Sequence, residues 1–157
     1  MKRYLIAISL CLTCLGIHAQ SLSFAELESL TSLTSDQVHN YLLLSKGFMP
    51  MGKQVINGKS FELFKSNRTD PAKAETVFLG ESGAHTYGNV SRQVFYKTRR
   101  VQDINVILRQ AKQSSLTLNF IGSDKDKSIY RFDNSLFMAL ISIGADKKYG
   151  SVQLEEK

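Results

Sequence analysis

Hydrophobic and polar positions alternate with two different periods along the chain, and each change of period marks a new element. Ser23-Phe24-Ala25-Glu26 has the form of a capping box, a hydroxyl cap with a glutamate three residues on. It predicts a short helix to about Leu30. Thr34-Ser35-Asp36-Gln37 offers a second cap, and behind it Val38, Tyr41, Leu42 and Ser45 share one helical face before Gly47. A strand-rich stretch follows. Gln54–Ile56 and Ser60–Phe64 flank Asn57-Gly58, the dipeptide that suits a type I′ hairpin turn. Thr76–Leu79 and Arg92–Lys97 predict two further strands, separated by a loop from Gly80 to Asn89.

The same order then recurs. Val101, Ile104, Leu108 and Ala111 form one helical face, widened by Ile107. Leu116, Leu118 and Phe120 alternate with polar residues as a half-buried strand does. Ile129–Phe132 and Tyr149–Leu154 are two more strands. Leu136–Ile143 lies between them, apolar on both faces, and is expected to be central.

The expected fold class is α+β, with two tandem helix-plus-four-strand units at 20–98 and 99–157. One such unit makes a marginal core, so the two should share one compact domain. They would form an antiparallel sheet, continuous through eight strands, with the helices packed on one face. The other face is left open to water or to a partner.

The first twenty residues do not fit that scheme. Met1-Lys2-Arg3 is basic, Tyr4–Leu15 is almost wholly apolar, and Gly16-Ile17-His18-Ala19 ends in a small residue. This is the order of a secretory signal peptide at 1–19, cleaved after Ala19. Its apolar run of about 12 residues falls short of the ~20 needed to span a bilayer as a helix. The Ala19-Gln20 junction resembles that of secreted proteins of the Bacteroidota. Localisation is therefore expected to be periplasmic or extracellular, with no transmembrane segment after cleavage. Removing 19 of the 157 residues leaves 138. Both cysteines, Cys11 and Cys14, leave with the leader, so the exported chain needs a hydrophobic core rather than disulfides. Lys2 and Arg3 also leave, lowering the net charge from +6 to +4.

The order of elements resembles that of the beta-lactamase inhibitor proteins, secreted tandem repeats of helices plus a four-stranded sheet. The resemblance covers the whole mature chain as architecture only, because the paired cysteines of that family are absent. It implies a platform for binding another protein and carries over no functional residue.

Candidate chemistry is thin. Gly80-Glu81-Ser82-Gly83-Ala84 resembles a nucleophile elbow, with His85 nearby, but an elbow needs a helix directly after its serine. The following His85-Thr86-Tyr87-Gly88-Asn89 is loop-like, so a flexible hairpin loop is the better reading. His39 and His85 are the two mature histidines, and no His/Cys/Asp/Glu cluster has metal-ligand spacing. Asp124-Lys125-Asp126-Lys127-Ser128 begins as a calcium loop would. Ile129 and Leu140 stand where the glycine and the distal glutamate should be. No metal and no cofactor is expected.

Charge changes the picture most. From Thr86 to Lys112 the basic residues are Arg92, Lys97, Arg99, Arg100, Arg109 and Lys112, against the single acid Asp103. Arg99 and Arg100 fall where the last strand of the first unit meets the helix of the second. Free N–H groups and two guanidinium groups there could take a carboxylate or a phosphate. Arg92, Lys97, Arg99 and Arg100 are the expected anion- or partner-binding residues. The first expectation for function is a non-enzymatic secreted binding protein, inhibitor- or immunity-like, that meets an acidic protein through the sheet face and this basic junction. The second is a module for an envelope polyanion such as lipopolysaccharide or an acidic glycan. The third is a small hydrolase using Ser82, His85 and Glu81. Nucleic-acid binding does not suit an exported chain.

Overall fold

The computed structural model describes residues 21–84 and 90–157. The signal-peptide reading at 1–19 and His85 lie outside the described residues.

Both capping boxes form. Ser23 Oγ accepts from the Glu26 amide while Glu26 Oε2 accepts from the Ser23 amide at 2.7 Å, which starts α1 (Phe24–Ser32). Thr34 and Gln37 repeat the arrangement at the start of α2 (Ser35–Asn40). The helix then widens into a π turn over Tyr41–Ser45. Gly47, with φ +67°, turns the chain out of it.

Eight strands follow, interrupted by a short 3-10 turn (Pro71–Lys73) and by α3 (Val101–Gln113). They are β1 (Phe48–Ile56), β2 (Lys59–Ser66), β3 (Glu75–Ala84), β4 (Val90–Thr98), β5 (Thr117–Ser123), β6 (Lys127–Asp133), β7 (Phe137–Gly144) and β8 (Gly150–Glu156). Asn57 and Gly58 have φ of 50° and 78°, the left-handed pair that a type I′ turn requires between β1 and β2. All eight strands belong to one antiparallel sheet in the order β1-β2-β3-β4-β8-β7-β6-β5. Two meanders therefore meet at their last strands, with Tyr96 opposite Val152 and Lys97 opposite Ser151. The two central strands are β4 and β8. The apolar segment 136–143 forms β7, which is interior but one place off the centre.

Side chains on a strand alternate between faces, and burial separates the two faces here. Val77 and Leu79 of β3, Val94 and Tyr96 of β4, and Val152 and Leu154 of β8 point to the core. They meet Phe24, Leu27 and Leu30 of α1 and Ile104, Ile107 and Ala111 of α3 in one cluster. Burial of these side chains, each worth ~1.5–3 kcal/mol, is the main force holding the helices to this face. The structure is thus α+β, with one eight-stranded antiparallel sheet and three helices among the described residues.

Three segments differ from expectation. β1 begins at Phe48, six residues early, because an edge strand tolerates Pro50 and absorbs the irregularity between Pro50 and Lys53 as a bulge. β3 runs on through Gly80–Ala84, so that part of the expected loop is strand. β5 extends to Ser123, leaving only a tight turn in which Asp124 Oδ1 accepts from the amides of Asp126 and Lys127, each at 2.8 Å.

Candidate functional site

The face of the sheet away from the helices is not flat. It curls into a trough with two adjoining cavities of about 850 and 370 Å³, which share Lys97, Lys127, Ser142 and Ser151 as lining. The strand register arranges this face in rows. One row crosses the sheet as Lys65, Thr76, Lys97, Ser151 and Ser142. The next, two residues along each strand, is Leu63, Phe78, Phe95, Gln153 and Leu140. A polar, cationic row thus lies beside an apolar one, about 7 Å away at ~3.4 Å per residue.

Phenylalanines make the floor of the smaller cavity. Phe61 and Phe95 meet edge to face with centroids 5.4 Å apart. Lys97 Nζ stands 5.4 Å from the centroid of Phe78, within cation–π range. Although it is on the open face, Phe61 is only 3% exposed, because β1 and β2 curl over the trough and Ile56 joins the lining. The larger cavity adds Lys65, Arg99 and Lys127, with Asp124 and Asp126 at its rim. Among the described residues, Lys65, Lys97, Arg99 and Lys127 have no carboxylate within ion-pair distance. The carboxyl of Asp124 is held below its ordinary pKa by the amides of Asp126 and Lys127, so it stays ionised and partly offsets the cations.

The structure divides the four expected site residues. Lys97 and Arg99 are exposed and line the trough. Arg92 is 4% exposed on the opposite face, where its Nη2 donates to Ser35 Oγ at 2.6 Å and ties β4 to the first turn of α2. Arg100 caps the start of α3 without a side-chain cap bond, and its Nη2 lies 3.2 Å from Asp103 Oδ1. The carboxylate of Asp103 therefore already occupies the first turn of that helix, where the free amides would have met an outside anion.

Behind this junction lies a buried polar cluster on the helix side. Glu75 is 1% exposed, and its Oε1 receives Arg68 Nη2 at 3.1 Å and Ser21 Oγ at 3.1 Å. Burial raises its pKa, Arg68 and Ser21 pull it down, and Asp103 adds to the rise. Tyr96 Oη lies beside Glu75 and Ser21, close enough to help lower the Glu75 pKa but without good hydrogen-bond geometry to either, and Asp103 Oδ2 has no hydrogen-bond partner among the described residues.

The sequence reading missed the aromatic floor and the contributions of Lys65 and Lys127. The available signal was strand parity. Phe61, Phe78 and Phe95 stand at the alternate positions to Phe64, Val77 and Val94, so three neighbouring strands are apolar on both faces.

For the other candidates, Glu81 and Ser82 lie within β3 rather than on a strand-to-helix turn. His39 sits in α2 with Nε2 at 2.6 Å from Glu62 Oε1 and its ring edge-on to Phe64. Among the described residues no group of three His, Cys, Asp or Glu side chains could hold a metal ion. None of their helices is long and apolar enough to cross a membrane.

Fold and trough together define an α+β protein with an open, aromatic-floored and cation-lined sheet face. Compared with known proteins, the chain matches no protein family, no curated protein and no solved structure.

Proposed function

We propose that this is a secreted, non-enzymatic binding protein of the cell envelope, inhibitor- or immunity-like, which engages an acidic protein partner through the open face of its sheet. The leader is removed after Ala19, and the mature chain acts in the periplasm or beyond it. The pairing of β4 with β8, the last strands of the two meanders, supports a reading of the chain as two tandem units, 20–98 and 99–157.

The observation that carries the function is the juxtaposition of Lys97 and Arg99, without carboxylate partners among the described residues, with the Phe61–Phe95–Phe78 floor. A surface that offers unpaired cations beside aromatic rings suits a partner that brings carboxylates and apolar side chains together. An envelope polyanion fits less well. Asp124 and Asp126 stand among the cations of the trough, and a protein can set a cationic side chain against them where a polyanion has none.

Capture from envelope fractions by the immobilised mature chain tests the reading. A saturable acidic protein should be retained by the wild type and by Lys112→Glu on the helix face, and lost at least tenfold in Lys97→Glu/Arg99→Glu. Equal retention by all three proteins contradicts it. Binding that collapses in moderate salt, with lipopolysaccharide as the retained species, would favour the polyanion instead.

A further inference from the structure

We infer that the trough receives an extended segment of the partner in which an apolar side chain is followed, two and four residues away, by carboxylates. This deepens the proposed function and rests on it.

Row spacing is the first argument. Phe95 and Lys97 share the open face two positions apart on β4, and Arg99, in the bend just past the strand's end at Thr98, lines the larger cavity together with Lys97. Same-face positions of any extended chain recur at the same interval of about 7 Å. An extended segment laid along β4 therefore brings positions i and i+2 over the aromatic row and Lys97, and its position i+4 passes the strand end, where Arg99 lines the same cavity as Lys97. A helical segment would instead repeat its face every three or four residues, at about 5–6 Å.

The hydroxyl groups are the second argument. Thr76 and Ser151 flank Lys97 in its row, and Ser142 follows Ser151. Each can both donate and accept, which matches the amide and carbonyl groups that a peptide carries between its side chains. The acyl chain of a simple amphiphile leaves them without partners. Its single headgroup also answers only one of the cations.

Size fits as well. The 370 Å³ cavity accommodates one large apolar side chain against Phe61 and Phe95, and the adjoining 850 Å³ holds the polar remainder.

The test uses capped pentapeptides titrated against the mature chain by calorimetry. Two carry phenylalanine and two glutamates at positions 1, 3 and 5, in forward and in reversed order, with serines between. A third has the same composition with the glutamates at positions 2 and 3. Either of the first two should bind at least tenfold more tightly than the third, and Lys97→Gln should remove that preference. Indifference to spacing overturns the inference, as does tighter binding of dodecanoate than of any peptide. If spacing has no effect while partner capture still depends on Lys97 and Arg99, this inference fails alone. If capture does not depend on them, the function beneath it fails as well.

Discussion

Phe61 of β2 lies across its register partner Gly80 of β3, so closely that a Cβ at position 80 would fall 2.5 Å from Phe61 Cε1. The glycine is thus what allows the ring to lie down over the sheet and reach Phe95. Gly80→Ala should lift the ring, costing about 1–3 kcal/mol as overpacking does and breaking up the cavity floor. Combining it with Phe61→Leu, which shortens the blocking side chain, should recover part of the loss. Urea unfolding of the two variants checks this. Wild-type stability in Gly80→Ala alone would show that the contact is not tight.

Arg92 and Arg99 should behave as different kinds of residue. Arg92→Glu buries a carboxylate against Ser35 and should destabilise by ~3 kcal/mol or more, as an uncompensated buried charge does. Arg99→Glu, on the exposed rim, should leave the melting temperature within about a degree or two and weaken partner binding. Thermal melts and binding measured on the same pair distinguish the roles. A stable Arg92→Glu that has lost binding would restore Arg92 to the site.

The parity of β4 explains why the sequence grouped these cations and the structure does not. Arg92 and Lys97 are five positions apart, an odd interval, so they face opposite sides of one strand. That was countable once β4 was known to be regular throughout. The helix starts were legible because both capping boxes are local chemistry, and the first hairpin because Asn57-Gly58 favours left-handed φ by itself. The early half of β1 was not, since Pro50 and Gly52 disfavour a regular strand and are tolerated here at an edge. The strand at Gly80–Ala84 was hidden for a related reason. Its small residues look like loop until Phe61 of the neighbouring strand is seen to cover Gly80. The trough itself depends on sheet curvature, which no single strand encodes.

Acid should weaken the link between α1 and the π turn. Glu26 is buried in part, which would raise its pKa, but Lys46, the Ser23 amide and Tyr41 outweigh this and lower it from 4.5 to about 2. A depressed carboxylate stabilises fully above its unfolded pKa, and the contribution disappears as pH falls from 4.5 towards 2. Allowing for solvent screening, Glu26→Gln should cost about 1 kcal/mol at pH 6 and close to nothing at pH 2. A difference that is unchanged at pH 2 would place the stabilisation elsewhere.

Glu75 should act in the opposite sense, and its neighbour Tyr96 tests the same buried cluster. The pKa of Glu75 is raised, so its contribution is complete below 4.5 and is lost as pH rises through the raised value. Glu75→Gln should flatten that decline. Tyr96→Phe removes a buried hydroxyl without a well-formed partner and should be neutral or stabilising by up to ~1 kcal/mol. Denaturant titrations of the wild type and both variants, from below pH 4.5 upwards, check the pair. A loss of more than ~1 kcal/mol in Tyr96→Phe would mean that the hydroxyl is hydrogen-bonded after all.

The most direct test of the binding face is lysine footprinting of the mature chain, free and saturated with its captured partner. Acetylation rates are read residue by residue by mass spectrometry. Lys97 and Lys127, in the trough, should become at least tenfold slower to react in the complex, while Lys112 on α3 keeps its rate. Unchanged reactivity at Lys97 with protection at Lys112 would put the partner on the helix face and contradict the account.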